Sequence, residues 1–407
     1  MTPMGRTRYH ASWVLPVTSP PIRDGWVDVE DGVILAYGGR STVGTVPMVR
    51  TIDLGHCVIL PGLVNAHTHL ELSLLRGKVL PRLSMPAWAC DVMGTVSSCE
   101  ASSSNPVAEA VTETRLAGTA LVGDISNTLD SLKALDSDTV DAVVFREMLG
   151  FNVSDYEVMG LIEPLLRCTR ERENSRVQVR AAAHAPYSVS PSLFRALALA
   201  VPGPRSVHLA ESPEELDFLR DGGGIWREVL KERGRWDSSW CPPGTGPVAY
   251  LEALGWLRPD TIAVHGVQLT NDEITQIATA GTTLVTCPRS NHWTGAGEPP
   301  IAEFYTLGAR VAIGTDSLAS APDLNLFAEL AEVRRLAPAV PAARIVESAT
   351  IVGAAALGRG SSLGAIEVGR PAALIVVSFL GSVSNVEEYI VSGIEPQQIT
   401  WLKDVDV

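Results

Sequence analysis

The sequence predicts an α/β protein, with a closed barrel of parallel strands in mid-chain and a small β-rich unit built from both ends. Between about residues 61 and 345, short apolar stretches alternate with longer charged stretches of helical period, as in repeated βα units. Eight of the apolar stretches qualify as strands, which is the number that closes such a barrel. Up to about residue 60 and from about residue 359, the pattern is instead one of strands and turns.

The elements are expected in the following order. At the first end, an alternating strand at 26–32 is followed by its hairpin partner at 33–37. The barrel strands are expected at 58–66, 120–125, 142–147, 177–183, 206–209, 262–265, 282–286 and 310–314. At the second end, a strand-turn at 364–371 precedes an apolar strand at 372–379. We therefore predict a composite β domain at 1–60 and 359–407, and a barrel domain at 61–358.

Composition limits the function classes. The 407 residues are 46% hydrophobic and 19% charged, a globular balance that excludes a disordered chain. The net charge of −14 is opposite in sign to what phosphate neutralisation needs, so no nucleic-acid partner is expected. The six cysteines are scattered, and no apolar run approaches the roughly 20 residues that span a bilayer. We expect a cytoplasmic protein with no membrane partner.

The histidines carry the strongest functional signal. Five of the eight follow predicted barrel strands, at the end where such barrels build their active sites: His67, His69, His184, His208 and His265.

Spacing adds a metal-binding pattern to this placement. His67 and His69 are two residues apart on a strand, so both side chains face the same way. Asp316 directly follows an apolar strand, where a carboxylate is costly unless it is paired or ligating. Nitrogen and oxygen donors of this kind suit Zn²⁺, with Fe²⁺ or Mn²⁺ as alternatives. The candidate cluster is His67, His69, His208, Glu211, His265 and Asp316.

Other hydrolytic sites lack their signatures in this sequence. There is no H-E-x-x-H helix of the metalloproteases. The H-x-E…P-C-x-x-C pattern of the cytidine-deaminase fold is missing as well.

Six motifs along nearly the whole chain resemble the amidohydrolase superfamily. They are PGLVNAHTH at 61–69, HAPYS at 184–188, HLAE at 208–211, VHGV at 264–267, CPRSN at 287–291 and GTDSLAS at 314–320. Within that superfamily, the chain resembles the branch of S-adenosylhomocysteine/methylthioadenosine deaminases and aminodeoxyfutalosine deaminases. The resemblance implies a distorted (β/α)₈ barrel with a small β-sandwich domain from both termini.

The resemblance also implies a ligand set and a mechanism. One divalent metal ion, expected to be Zn²⁺, is implied to be held by His67, His69, His208 and Asp316. Asp316 would accept a proton from a metal-activated water that His265 orients, and Glu211 would carry a proton to the ring nitrogen before ammonia leaves. Binuclear members carry a carboxylated lysine on the fourth strand, whereas none of the four lysines here ends a predicted strand, which implies a single metal.

The resemblance is less specific about the substrate. Glu71 and Arg289 are more similar to the aminodeoxyfutalosine deaminases of menaquinone synthesis, where an arginine fork would match the substrate's carboxylate. The pair Arg146-Glu147, at the end of the third predicted barrel strand, is a second candidate for binding the distal part of the substrate. Trp293 is a further candidate for lining the pocket. The predicted substrate contacts are Glu71, Trp88, Arg146, His184, Arg289 and Ser317.

Three alternatives remain open at this point. The substrate is a small molecule, and S-adenosylhomocysteine or methylthioadenosine is the first alternative to aminodeoxyfutalosine. The second is a related hydrolase that acts on guanine or triazine rings. The third is a metal-free barrel that serves as a scaffold or binding protein. This alternative is weakened because every position of the implied metal-ligand set is filled. The resemblance favours a homodimer.

Overall fold

The computed structural model describes residues 6–40, 50–98 and 105–405 of the chain. Five of the six cysteines lie in these ranges as free thiols, and Cys99 lies outside them. No helix within the described ranges is long and apolar enough to cross a membrane.

Fifteen strands form two sheets in the described part of the chain. Numbered in chain order, the first five are β1 (Thr7–Val14), β2 (Ile22–Glu30), β3 (Val33–Gly39), β4 (Arg50–Asp53) and β5 (Cys57–Pro61). The next eight are β6 (Leu63–Thr68), β7 (Thr119–Ser126), β8 (Asp141–Met148), β9 (Val177–Ala183), β10 (Arg205–Leu209), β11 (Thr261–His265), β12 (Thr283–Thr286) and β13 (Arg310–Ile313). The last two are β14 (Leu374–Ser378) and β15 (Ile399–Trp401).

Helices follow most barrel strands. In chain order they are α1 (Met85–Ser98), α2 (Pro106–Leu116), α3 (Ser131–Ser137), α4 (Asp155–Glu171), α5 (Pro191–Ala200), α6 (Pro213–Asp221), α7 (Gly224–Glu232) and α8 (Pro247–Ala253). They continue with α9 (Asn271–Ala280), α10 (Pro288–Thr294), α11 (Ile301–Thr306), α12 (Leu326–Leu336), α13 (Ala342–Glu347), α14 (Gly353–Ala356) and α15 (Val386–Ile390). Their starts follow local chemistry: Asn105, Ser190 and Thr270 cap α2, α5 and α9 through their side-chain oxygens.

The eight strands β6 to β13 are parallel neighbours in chain order, so the predicted barrel is confirmed. One predicted strand was wrong. The stretch 58–66 is two strands: β5 belongs to the terminal sheet, and β6 opens the barrel. The break falls at Gly62, where an added Cβ would lie 2.7 Å from the Ala120 Cβ and 2.9 Å from the Trp401 ring. Only glycine leaves room for the chain to pass from one sheet to the other at this point.

The other sheet joins both termini, as expected. Its path is β15-β14-β5-β1-β2-β3, and β4 also pairs with β1. One edge of β1 is shared, because Thr7–His10 pairs with β4 whereas Trp13 and Val14 pair with β5. The sheet therefore forks at β1.

The strand-turn predicted at 364–371 is wrong in its strand. The segment makes only scattered contacts with the sheet, such as the hydrogen bonds from Ile366 N to Pro16 O and from Gly369 N to Ile34 O. Gly364 and Gly369 have φ of +85° and +88°, a left-handed conformation that interrupts a strand. Pro371 makes one isolated bridge, and proline has no N–H to extend it into a ladder.

The barrel closes between β6 and the end of β13 through a short joint. Thr315 N and Asp316 N both donate to His67 O at 3.1 Å. The Asn65 side chain accepts from Thr315 N at 3.2 Å and donates to Thr315 Oγ1 at 2.7 Å. At Gly314, an added Cβ would lie 2.6 Å from His67 O, so this close approach requires glycine.

Alternation along the strands decides which side chains enter the barrel. On β8, Val143 and Phe145 pack in the interior cluster, whereas Val144 packs in the outer cluster between strands and helices. Continuing this alternation, Glu147 faces the interior at the top of the strand and Arg146 faces the outer layer. The barrel interior is therefore apolar along most of the strands and becomes polar at their carboxyl ends.

Candidate active site

Four histidine rings meet at the carboxyl ends of β6, β10 and β11. The ring centroids of His67 lie 5.0 Å from His69, 5.1 Å from His208 and 5.8 Å from His265. His67 is fully buried, and His208 and His265 are nearly so. The histidines that the sequence placed at strand ends are thus brought together within one buried cluster.

Three of these imidazoles fit a metal ion. Ligand atoms of His67, His69 and His208 all lie within 4.8 Å of one another. Both ring nitrogens of His67 are buried and have no hydrogen-bond partner, although an unpaired buried polar atom is costly. Burial also lowers the pKa of His67 to about 4, which keeps the ring neutral as a ligand must be. The donor set therefore fits a divalent cation of the zinc type.

Asp316 lies against the same cluster. Its Oδ1 is 3.5 Å from His69 Nε2 and 3.7 Å from His67 Nε2, while its Oδ2 accepts hydrogen bonds from the hydroxyls of Ser290 and Ser320. Burial alone would raise the pKa of Asp316, but the adjacent His67 and His69 hold it well below its usual range. One carboxylate oxygen is therefore fixed by the serines, and the other faces the imidazoles.

Glu211 and His265 form a second pair beside the first. Glu211 Oε1 is 3.6 Å from His265 Nε2, and His265 Nδ1 donates to Asn291 Oδ1 at 2.8 Å. Burial, aided by the negative charge of Asp316, raises the pKa of Glu211 well above its usual range. Burial lowers the pKa of His265, so this ring is neutral and its Nε2 accepts. A carboxyl group whose protonated form is favoured by burial thus faces an imidazole acceptor.

The backbone at these strand ends is strained. Ala210, His265 and Asp316 have φ of +51°, +76° and +56°, a left-handed conformation that non-glycine residues seldom adopt. The carboxylate of Glu215, buried under this turn, accepts from Ala210 N at 2.9 Å and from Glu211 N at 3.2 Å. Glu215 thereby holds the turn that presents Glu211.

His184 and Glu147 border the cluster on the side of β8 and β9. His184 Nδ1 lies 2.6 Å from Ser188 Oγ, and its ring centroid is 5.1 Å from that of His208. Glu147 Oε1 is 3.6 Å from His208 Nδ1, which donates to the carbonyl of His184 at 2.8 Å. His184, predicted as a substrate contact, therefore lies beside the predicted metal ligands.

Two other side chains that were predicted to contact the substrate, Glu71 and Arg289, form hydrogen bonds with protein groups instead. Glu71 accepts from the hydroxyl of Ser126 at 2.9 Å, from Asn127 N at 2.6 Å and from both donors of Thr128. Arg289 forms a two-pronged ion pair with Asp323 at 2.9 and 3.0 Å. These partners hold the loops around the site, so a substrate contact of either side chain stays a prediction without geometric support.

The remaining three predicted contacts lie outside the histidine cluster. Arg146 faces the outer layer, as the alternation along β8 requires, so the member of the pair that lies at the site is Glu147. Trp88 packs in an apolar cluster with Leu75, Val79 and Ala319, against which Trp293 also packs. The hydroxyl of Ser317 accepts from Ala319 N at 3.3 Å and shapes the turn after β13.

Sequence reasoning assigned no role to several groups that orient the site: Asn65, Glu215, Ser290, Asn291 and Ser320. Two signals were available for some of them. Glu215 lies four residues after Glu211, in the first turn of a helix. At this spacing its side chain can reach the backbone of the residues just before the helix. Ser290 and Asn291 directly follow the seventh barrel strand in the CPRSN motif.

Comparison with known proteins agrees with this geometry. The amidohydrolase family model matches residues 58–395. The 5-methylthioadenosine/S-adenosylhomocysteine deaminase of Syntrophobacter fumaroxidans is 31% identical over 382 residues, covering 87% of this chain and 80% of that protein. The aminodeoxyfutalosine deaminase of Deinococcus radiodurans is 33% identical over 318 residues, covering 72% and 71%. A zinc-bound adenosine deaminase structure from Xanthomonas campestris superimposes with a TM-score of 0.80 at 28% identity, covering 97% and 90%. The chain therefore belongs to the metal-dependent amidohydrolase family and is a hydrolytic deaminase.

Proposed function

We propose that the chain hydrolyses the exocyclic amine of an adenine-type nucleoside, with one divalent metal ion, expected to be zinc. The observation that carries this proposal is the placement of Glu211 Oε1 3.6 Å from His265 Nε2, next to three converging imidazoles and Asp316. Each ion pair described for Glu211 and Asp316 is with a histidine, so no arginine or lysine neutralises either carboxyl group. Such a site is suited to proton transfer rather than to binding an anion.

His67, His69, His208 and Asp316 would hold the ion. When bound, it supplies Lewis-acid chemistry that brings the pKa of water towards neutrality. None of the four lysines lies on a barrel strand: Lys78 is in a turn after β6, Lys133 on α3, Lys231 on α7 and Lys403 after β15. A carboxylated lysine that would bridge two ions therefore has no candidate, which supports one ion per chain.

The chain's own residues account for the proton transfers. Asp316 Oδ1 faces the imidazoles and is the acceptor for a proton from the attacking water, while Ser290 and Ser320 keep Oδ2 in place. Glu211 holds a proton and is the donor to the ring nitrogen, so the amine-bearing carbon becomes open to attack. His265 accepts at Nε2 because Nδ1 is committed to Asn291, and so it orients the water. The oxygen of water replaces the amine. One proton of that water completes the ammonia that leaves, and the other returns to Glu211.

The identity of the nucleoside is the finer part of the proposal. Aminodeoxyfutalosine, the first candidate from the sequence, would place the chain in menaquinone synthesis. The two residues that favoured it in the sequence, Glu71 and Arg289, both form hydrogen bonds with other protein groups. They therefore no longer distinguish it from the other nucleosides. The relative from Syntrophobacter is named for methylthioadenosine and S-adenosylhomocysteine, and the relative from Deinococcus is named for aminodeoxyfutalosine. The two are similarly identical to this chain, at 31% and 33%. Methylthioadenosine and S-adenosylhomocysteine are therefore equal candidates.

Ammonia release by the metal-loaded enzyme tests the proposal. The panel is aminodeoxyfutalosine, methylthioadenosine, S-adenosylhomocysteine and adenosine, with guanine and an aminotriazine as the ring alternatives. We expect turnover of at least one adenine nucleoside and at most weak turnover of the two bare rings. Ammonia from guanine or the triazine alone would replace the nucleoside assignment. No ammonia from any compound, with one metal ion bound per chain, would overturn the proposal.

A further inference from the structure

We propose that Glu147 is a specificity-determining residue that binds the sugar hydroxyls of the nucleoside. This inference rests on the proposed function and extends it to the part of the substrate away from the reacting amine. Glu147 ends the third barrel strand on its inner face, and its side chain is 4% exposed. Neither the proposed metal ligation nor the proposed proton transfers use this carboxylate.

The two oxygens of Glu147 have different surroundings. Oε2 accepts from Asn127 Nδ2 at 2.7 Å, and the Asn127 backbone is in turn fixed by Glu71. Oε1 is buried and has no hydrogen-bond partner. A buried carboxylate oxygen without a donor is destabilising, so Oε1 is poised to accept a hydrogen bond from a ligand.

The neighbours of Oε1 do not supply that hydrogen bond. His208 Nδ1, 3.6 Å away, donates to the carbonyl of His184. His184 Nδ1 is engaged with Ser188 Oγ. Glu147, His184 and His208 do place ligand atoms within 4.8 Å of one another, yet a protonated Nδ1 cannot coordinate a cation, so a second metal ion does not fit this geometry.

The chemistry of the substrate then selects the donor. An adenine-type nucleoside offers two kinds of donor, namely the exocyclic amine and the hydroxyls of the sugar. The amine is consumed at the metal cluster, beyond the Nε2 side of His208, whereas Glu147 lies on the Nδ1 side. The vicinal hydroxyls are the donors that remain. The same contact would explain a preference for nucleosides over bare rings, which have no sugar.

Calorimetric titration of the metal-loaded enzyme tests the assignment. The parent is Glu211→Gln, whose turnover is expected to be roughly 10²- to 10⁴-fold slower than that of the wild type. The ligands are adenosine, 2′-deoxyadenosine, 3′-deoxyadenosine and 2′,3′-dideoxyadenosine. We expect the parent to bind the dideoxy compound on the order of 30-fold more weakly than adenosine, as for a lost hydrogen bond to a charged group. The two monodeoxy compounds show which hydroxyl is bound.

Adding Glu147→Ala to this parent should weaken the binding of adenosine by a similar factor. It should change the dissociation constant of the dideoxy compound by less than about 3-fold. Glu147→Gln keeps an acceptor oxygen and should retain part of the preference. Asp141→Asn, an acidic position at the other end of β8, is the matched control and should leave all four dissociation constants unchanged.

If Glu147→Ala weakened the binding of all four ligands equally, the assignment would be overturned, because the variant would then have a general effect on His208 or on folding. A parent that binds dideoxyadenosine as tightly as adenosine would also overturn it, and this measurement needs no variant at Glu147. Failure of the ammonia panel refutes the proposed function separately, since the titration does not depend on turnover.

Discussion

The two sheets of the molecule bury their carboxyl groups in opposite ways. In the terminal sheet, Asp28 on β2 receives hydrogen bonds from the guanidinium groups of Arg8, at 2.6 and 2.8 Å, and of Arg6. In the barrel, the ion-pair partner of Glu211 is instead the imidazole of His265. Both side chains are buried, so the difference lies in the partner and not in exposure.

The partner decides whether the group is charged. Burial alone would raise the pKa of Asp28, but the hydrogen bonds from Arg8 and Arg6 outweigh it and hold the pKa below its usual range. Burial without such a partner raises the pKa of Glu211 well above its usual range. A carboxylate paired with arginine is fixed as an anion and stabilises the fold, whereas one paired with histidine can exchange a proton near neutral pH.

The largest effect is expected from Glu211→Gln, which removes the exchangeable proton and keeps the shape. Turnover should fall by roughly 10²- to 10⁴-fold, the usual contribution of a general acid. Metal content, measured by mass spectrometry of the purified protein, should stay at the wild-type value, because Glu211 lies outside the proposed ligand set. A fully active variant would show that the proton takes another route.

Asp28→Asn should instead affect stability. Removing the charge leaves the buried guanidinium group of Arg8 and the partly buried one of Arg6 without their anion. We expect the free energy of unfolding to fall by about 3 kcal/mol. Urea titration measures this loss, and kcat of the folded fraction should be unchanged. A change in kcat would contradict the separation of the two regions.

The pH dependence of that difference sharpens the same comparison. Because the folded-state pKa of Asp28 is lowered, its contribution to stability is present above the unfolded pKa of about 3.9 and is lost as pH falls through the folded value. The gap between wild type and Asp28→Asn should therefore shrink below about pH 4. A constant gap down to pH 3 would indicate that packing, not charge, is responsible.

Glu215→Gln is expected to have a smaller effect on catalysis. Its carboxylate accepts two backbone N–H groups at the turn before α6, and an amide can replace only one of these acceptors. We expect kcat to fall about 10-fold with KM little changed, as for one buried N–H left unpaired. Glu214→Gln on the same helix is the matched control, and an equal loss there would rule out this positioning role.

The smallest effect is expected at Arg289. Its pairing with Asp323 predicts that Arg289→Met lowers stability by about 1 kcal/mol and leaves substrate choice unaltered. The ratio of kcat/KM for aminodeoxyfutalosine to that for methylthioadenosine should change by less than about 3-fold. A selective loss on aminodeoxyfutalosine would instead establish the carboxylate contact that the sequence suggested.

The sequence predicted the site better than its surroundings. Histidines and acids that follow apolar strands are visible in one dimension, because parallel strands carry their carboxyl ends to one face. The partners of Glu71 and Arg289 are not visible, since Ser126 lies 55 residues and Asp323 lies 34 residues away along the chain. The division of 58–66 into two strands was hidden for a similar reason, because Gly62 is constrained by a ring near the far end of the chain.

The joint between β6 and β13 gives the metal site a mechanical role. The first and last barrel strands meet through the Asn65 side chain and a few backbone hydrogen bonds rather than a full ladder. His67 and His69 lie on one side of this joint and Asp316 on the other, so an ion held by all three ties the ring of strands together. Binding and closure are then thermodynamically linked. Chelation should speed amide hydrogen exchange most at Thr315 and Asp316, where the ring would open first.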